Sequence, residues 1–371
     1  MCKRKILFIT PFVPSSEGAA ENFTRLFLEE LSANDFDVDL VYFKYSFEKE
    51  YIPIHTNIHV IFVKKNSIFV KLKNYLLYPF IHPIFSVRFD WKLMYNLRKR
   101  IKKGLYDYVY LDHSQMFLYG HFFPNIPIFM RSHDVMLQRY SRQGNLLLRW
   151  IIKKSEQKAL NIKKAIIFVP SDKDKILLQQ NYGIIAKLSK EYLDIKVINA
   201  TPNTIEKRII FFGKWTRKDN YDGLVWFIDN VYNSIDHSIS IDIIGKGLPS
   251  FILEKIKEKK NICYHGFVDN PYPLIASSLC VVSPLFSGAG IKVKVIEALA
   301  CGTPVVGNDI SFEGIESPDF QFTKKANSPY DYIYEISNCY NLSVSDRINF
   351  KKKFIANYNN NSIIRFLMIK K

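Results

Sequence analysis

Residues 280–309 read CVVSPLFSGAGIKVKVIEALACGTPVVGND. The first five are a short apolar run of buried-strand type, and Ser287-Gly288-Ala289-Gly290 interrupts it with residues that let a backbone approach a ligand closely. The spacing then predicts a helix over about 291–301, stopped by Gly302, and a new strand from Thr303. Strand, glycine loop, helix, turn and strand in that order build a parallel sheet covered by helices. The amides at the start of such a helix have no partner within it, and its dipole is positive there, so the loop suits an anion such as a diphosphate. Lys292 and Lys294 fall in the expected first turn, where cations oppose the dipole and make better sense beside a bound anion. Glu297, one turn deeper, is the only carboxylate before Asp309.

The same alternation extends in both directions. Upstream of the loop, strands are expected over 208–212, ending at Gly213-Lys214, over 240–244, ending at Gly245-Lys246-Gly247, and over 261–264, with a helix over 221–232. An earlier series has strands over 5–10, 38–43, 58–63, 108–111, 126–130 and 165–169, with helices over 20–31 and 146–162. Ser171 and Asp174 have the spacing to cap a further helix. The polar segment 199–207 is the expected linker between the two series. At 371 residues, two domains are the natural division: 1–200 and 201–345, with 346–371 a helical segment able to cross back onto the first. The fold class is therefore α/β, two Rossmann-like doubly wound domains facing across a cleft, which is the default place for a ligand. Gly18, Asp112 with His113, and His133 fall at the carboxyl ends of strands of the first series.

Composition sets the outer limits. The chain is 48% hydrophobic and 15% aromatic, ample for two cores. Its five cysteines form no C-x-x-C pair, which points to a reduced, cytoplasmic setting. No apolar run reaches a membrane span, and the amino terminus does not read as a signal peptide. The net charge is +17, and 11 basic residues against one acidic residue, Asp90, lie between positions 64 and 103. Aromatics are interleaved there, among them Phe69, Tyr75, Tyr78, Phe80, Phe85, Phe89, Trp91 and Tyr95. That mixture suits an anionic membrane surface, with an ordinary basic face over a packed core as the plainer alternative. No nucleic-acid motif accompanies the charge, so no nucleic-acid partner is expected. Asp35-Phe36-Asp37 and Asp172-Lys173-Asp174 carry paired carboxylates, but one flanks a strand and the other a helix cap, so no metal site is assigned.

Gly213-Lys214, Gly266-Phe267-Val268 and SGAGIKVKVIEALACGTPVV, in this order and spacing, resemble the family 4 glycosyltransferases of the GT-B fold, of the group 1 glycosyl transferase type. FFGKWTRKDNYDGLVWFIDNV looks like the first strand and helix of their carboxyl-terminal domain, RSHDV like their histidine-bearing strand end, and PFVPSSEGAAENF like their first glycine loop. The resemblance implies a retaining transfer of sugar from a nucleotide diphosphate sugar, used as co-substrate, with no further cofactor and no metal. It implies that Glu297 accepts ribose hydroxyls. Ser287, Gly288, Ala289, Gly290, Ile291, Lys292 and Lys294 would then surround the diphosphate, and Lys214 with Arg217 or Lys218 would neutralise it. It places the base near Phe267 and Val268, the donor and acceptor near Gly18, the donor also at Gly213, and the donor sugar against His133. His133 and Asp112 are the candidate catalytic residues.

This sequence departs from the family's pattern in four places. His133-Asp134-Val135-Met136 carries no glutamate after the histidine where one branch reads H-N-V-E. Ala289 stands where the family has its first glutamate, Lys214 where it has arginine, and Asp219 where it has its second basic residue. The acceptor expected is a glycan or lipid-linked molecule in cell-surface polysaccharide or glycolipid synthesis, met by a peripheral enzyme on the inner face of the membrane. Two other classes stay in view. A silent binding or assembly protein of this fold is made conceivable by Ala289; a dinucleotide-dependent enzyme is disfavoured because no G-x-G-x-x-G follows the strands.

Overall fold

The computed structural model describes residues 4–16, 18–66, 68–142, 144–163, 165–358 and 362–369. Two compact units divide the chain, one made of residues 1–192 with 360–371 and the other of residues 193–359. Both are parallel-sheet, Rossmann-like α/β domains.

The first sheet contains β1 (Lys5–Thr10), β2 (Asp37–Lys44), β3 (Ile58–Lys65), β4 (Tyr108–Asp112), β5 (Ile128–Arg131), β6 (Ala165–Val169) and β7 (Lys187–Leu188). They lie in the order β3-β2-β1-β4-β5-β6-β7, all pairs parallel. A strand buried on both faces must be apolar throughout, and Ile6-Leu7-Phe8-Ile9 of β1 is fully buried. Leu7 and Ile9 join one core and Ile6 and Phe8 the other, so helices cover both faces.

The second sheet contains β8 (Glu206–Phe212), β9 (Ser240–Ile244), β10 (Ile262–Gly266), β11 (Ser278–Ser283), β12 (Val305–Gly307) and β13 (Thr323–Lys325). Its order is β10-β9-β8-β11-β12-β13, again parallel. In each sheet the winding reverses beside the first strand, between β1 and β4 and between β8 and β11. Ligands of open α/β sheets bind outside the carboxyl ends at such a point.

The boundaries differ from the sequence reading in four ways. The units divide at Tyr192/Leu193 instead of 200/201. The expected linker overlaps helix Ile195–Asn199, whose Val197 is buried in the second core, and Lys351 Nζ donates to the carbonyls of Val197 and Ala200. The last helical segment is also two helices. Val344–Tyr358 packs Phe350, Phe354 and Tyr358 into the second core, whereas Ser362–Ile369 buries Ile363, Ile364 and Leu367 in the first. Residues 359–361 between them, like Cys2 among the five cysteines and Glu17 of the PFVPSSEGAAENF stretch, lie outside the described residues. Finally, the helix after the glycine loop starts at Val293, not 291. No described helix is long and apolar enough to cross a membrane.

Candidate functional site

In the second unit the loops after β8, β9 and β10 are laced together by their backbones. Gly213 N donates to Ile244 O (3.1 Å), Gly245 N to Gly266 O (2.7 Å) and Trp215 N to Lys246 O (3.1 Å). A Cβ on Gly245 would sit 1.8 Å from Gly213 O, so only glycine permits this approach. Beyond β11, Gly288 (φ 112°) and Gly290 (φ 71°) turn the chain through left-handed backbone before the helix can begin. That is why Lys292 becomes the N-cap residue and the amides of 288–291 belong to a loop. Lys292 Nζ donates to Gly290 O (2.6 Å) and lies 4.0 Å from Glu313.

Lys294 is the informative cation. Its Nζ donates to Asn220 Oδ1 (3.2 Å), and Asn220 Nδ2 donates to Lys214 O, which ties the helix start to the turn after β8. Burial first, then the Lys292 and Arg217 cations, push its ammonium down to about 7, with Asp219 pulling the other way. Three cations thus crowd a helix start whose dipole repels them, an arrangement that an anion would relieve. Of the two basic residues left open by the sequence, Arg217 faces this group. Lys218 is turned away onto Asp222 (2.7 and 2.8 Å) and the Tyr221 ring. The Lys214 side chain is exposed. Asp219 accepts from Ser287 Oγ and lies 3.9 Å from Arg217, so it fastens the loop from the position where the family carries a base.

Glu297 accepts a hydrogen bond from Tyr272 OH (3.0 Å), which fixes one oxygen. Burial and then that carboxylate raise the Tyr272 phenol well above its usual range, so it stays a donor. Phe267 is largely exposed beyond β10 with Lys246 over its ring, and Val268 packs on the core together with Ile291. Ala289 is half-buried and brings no polar group to the loop.

In the first unit the residues at the reversal form one cluster. Asp112 Oδ1 is 2.9 Å from His133 Nε2, and Oδ2 accepts from Thr24 (2.6 Å) and Thr10 (3.2 Å). Asp112 is fully buried, which by itself would raise its pKa. His113, His133 and the Thr24 hydroxyl outweigh that and hold the carboxyl below the ordinary carboxylate range. Burial lowers both histidines, His113 to about 3, so both are neutral at pH 7. Since Asp112 accepts, His133 carries its proton on Nε2 and offers Nδ1 as an acceptor. Its ring meets Phe23 edge-on at 4.9 Å, and Arg131, paired with Glu191 at 2.9 Å, lies over the Phe23 ring. Gly18 opens helix Ala19–Ala33, with the Glu21 carboxylate against its Cα, and this helix delivers Phe23 and Thr24.

Sequence reasoning missed Thr24, Thr10 and the part played by His113. His113 adopts φ 63°, ψ 148°, backbone that L-residues rarely enter. Its ring stacks on His133 at 3.7 Å, and its buried Nε2 has no hydrogen-bond partner. No sequence pattern signals that strain.

Two groups could be considered for a metal. Asp112, His113 and His133 bring ligand atoms within 4.8 Å of one another. The two rings are within 13° of parallel, however, and an imidazole lone pair lies in its ring plane, so their Nε2 atoms do not aim at one ion. Asp242, Cys263 and His265 also cluster, but Arg208 (3.0 Å) and His265 (3.1 Å) already share the Asp242 carboxylate. The aspartate pairs weighed in the sequence have structural partners: Asp37 binds Lys5 and His59, and Asp174 bonds Ser171 at a helix start. His121 bonds Lys158 O.

Residues 206–338 match the family model described as glycosyl transferases group 1. Among curated proteins, none matches the chain in sequence. Solved structures similar over nearly the whole chain include sucrose-phosphate synthase from Thermosynechococcus elongatus, with 14% identity, TM-score 0.68 and coverage of 99% of this chain and 97% of that one. Anabaena HepE in complex with UDP-glucose has 14% identity, TM-score 0.67 and coverage of 98% and 99%. A mutant of S. aureus TarM in complex with Fondaparinux, alpha-GlcNAc-glycerol and UDP has 13% identity, TM-score 0.69 and coverage of 98% and 99%. These identities show the GT-B fold alone. The family match and the fold together support a glycosyltransferase of the group 1, GT-B type.

Proposed function

We propose that this protein transfers a hexosyl group from a nucleoside diphosphate sugar to a glycan or lipid-linked acceptor, with retention and without a metal. The observation that carries the reading is the convergence of Arg217, Lys292 and Lys294 on the glycine loop beside the β8/β11 reversal. Departure of a nucleoside diphosphate builds negative charge on its phosphates, and preorganised cations with loop and helix amides stabilise it where it forms. Glu297, oriented by Tyr272, accepts the ribose hydroxyls, and the backbone near Phe267 and Val268 meets the base. The neutral His133, held by Asp112, presents Nδ1 to a sugar hydroxyl. Retention follows if the leaving phosphate guides the acceptor to the face it has just left. A role in cell-surface polysaccharide or glycolipid assembly, on the cytoplasmic side of a membrane, is supported by the basic first unit.

A panel of UDP-, GDP- and ADP-linked sugars tests the reading by thermal unfolding. A matching donor at ~100 times its Kd should stabilise the fold by ~2.7 kcal/mol. Slow donor hydrolysis should follow, releasing sugar that NMR shows first as the donor's own anomer. Stabilisation by NAD and by no nucleotide sugar would overturn the proposal. Ala289 supports a second reading, a protein that binds the nucleotide sugar without turning it over; binding with no hydrolysis or transfer in any acceptor mixture would favour it.

A further inference from the structure

The first unit leaves an apolar face uncovered. In helix Ile68–Leu77 the one buried side chain is Asn74, which donates to Ser86 O (2.9 Å) and Phe89 O (2.7 Å). A polar residue thus anchors the helix and its apolar residues point outward, the reverse of an ordinary surface helix. Phe69 is 84% exposed and Phe80 90%, with Leu72, Leu76 and Leu77 also exposed. Helix Leu146–Leu160 begins the same way, with Leu146 (77%), Leu147 and Trp150 exposed. The two helices are joined through the segment between them: Pro83–Ser86 packs against both, and His82 N donates to Ser155 Oγ (2.8 Å).

The two segments that carry this face are basic. No Asp or Glu occurs from position 64 to 89 or from 135 to 155, whereas Lys71, Lys73, Arg149, Lys153 and Lys154 flank the exposed apolar residues. The basic helix Trp91–Lys102, which the sequence also offered for a membrane, is different. Leu93, Met94, Leu97 and Ile101 bury its apolar face, and Arg100 is fastened to Asp39 and Tyr106. Phe85 and Phe89 are likewise core residues.

We propose that helix Ile68–Leu77, the following residues to Phe80 and the first turns of helix Leu146–Leu160 form a docking face for an anionic lipid bilayer. Exposed Phe, Leu and Trp enter the interfacial layer, and the flanking lysines and arginines meet anionic headgroups. A second copy of this chain is disfavoured as occupant, because two such faces would bring like charges together. The inference deepens the peripheral placement offered above and rests on it, but the face is defined by the first unit alone and the donor loop by the second.

The full chain is sedimented with vesicles of phosphatidylcholine alone and with phosphatidylglycerol added, in ~0.15 M salt, where surface charge is screened beyond about 8 Å. Two variants are compared: Phe69→Ser with Leu72→Ser, Leu76→Ser and Phe80→Ser, and Lys73→Glu with Arg149→Glu and Lys153→Glu. The protein should bind anionic vesicles at least about tenfold more tightly than neutral ones, and each variant should lose about tenfold on anionic vesicles. Donor-induced stabilisation without vesicles should be unchanged in both. Wild-type protein that stays in the supernatant, or variants that bind as well as wild type, would overturn the proposal. So would light scattering that shows a dimer dissolved by the serine variant. If the serine variant does not fold, the charge variant alone decides. Vesicle binding with no response to any nucleotide sugar would sink the proposed reaction and leave the docking face standing.

Discussion

At the scale of single residues, the two carboxylates that matter have different surroundings. Glu297 keeps one oxygen on Tyr272, and in the proposed reaction its bonds to the ribose would be charge-assisted. Glu297→Gln should therefore raise the donor KM strongly with a smaller effect on kcat, since the proposed ribose contacts would be made in both ground and transition states. Unchanged donor kinetics would remove Glu297 from the site. Asp112 and the histidines set an acid limit. The His113 imidazole titrates near 3 in the folded protein and near ~6.5 in an unfolded chain. The unfolded chain thus takes up a proton first, and stability should fall as pH drops from ~6.5 toward ~3, with no contribution from this group above pH 7. Asp112, lowered from its ordinary value, gives stability that is present above ~4 and lost at more acid pH. Asparagine tolerates positive φ and does not titrate, so His113→Asn should flatten the decline of the urea midpoint between pH 7 and 5. An equally steep decline in the variant would count against His113 as its source. Asp112, His133 and Glu297 were legible because each stands at a strand end or one turn into a helix after a glycine loop. The strained φ of His113 was not, since composition and spacing carry no dihedral angle. Nor could sequence show that Lys218 pairs with the Asp222 carboxylate one helical turn beyond it while Arg217 lies beside Asp219.

At the scale of elements, strands and helix types followed from apolar runs and periodicity, while ends were set by contacts from far away in sequence. Thr323–Lys325 is a strand of three residues and Lys187–Leu188 one of two, too short to show any period, and each exists because a neighbouring strand offers a free edge. Helix Met136–Ser141 is a similar case. Its residues hold no side-chain cap of their own, and Glu156 from helix Leu146–Leu160 supplies one, accepting from Met136 N (2.8 Å), Leu137 N (3.0 Å) and Tyr182 OH (2.7 Å). Glu156 is thus a buried helix cap. Burial raises its carboxyl to about 7 despite the three donors. A raised carboxyl has the opposite sign to His113: the native state holds its proton longer, so this contribution is full below ~4.5 and lost as pH rises toward 7. Glu156→Ala leaves two buried amides and a phenol without their acceptor and should destabilise the first unit by ~2–4 kcal/mol. Urea unfolding at pH 5 and pH 7 checks both magnitude and sign; a loss under ~0.5 kcal/mol, the size of an ordinary surface substitution, would show that water replaces the cap.

At the scale of the molecule, two similar α/β halves were legible from the repeated strand and helix alternation, but the route of the chain between them was not. Residues 362–369 carry an apolar pattern that fits either core. The choice depends on which face lacks a cover, a property of the assembled sheet. In the structure Ile363, Ile364 and Leu367 fill the core of the first unit beside the layer of Phe8 and Tyr110, Phe366 meets Phe168 edge-on, and Arg4 Nη1 donates to Leu367 O (2.5 Å). The second unit has its own closing helix, Val344–Tyr358, with the buried Arg347 donating to the Ser278 and Leu279 carbonyls. Removing residues 360–371 should therefore injure one unit and spare the other. Exposing three aliphatic side chains costs roughly 1.5–3 kcal/mol each, or about 4.5–9 kcal/mol for the first unit. Calorimetry of the truncated chain should show an early transition for the first unit, while the later transition still moves upward with a matching nucleotide sugar, because the glycine loop, Lys294 and Glu297 all belong to the second. A single transition lowered as a whole, with donor stabilisation lost, would mean that the units do not melt independently and that the last helix supports the donor loop as well.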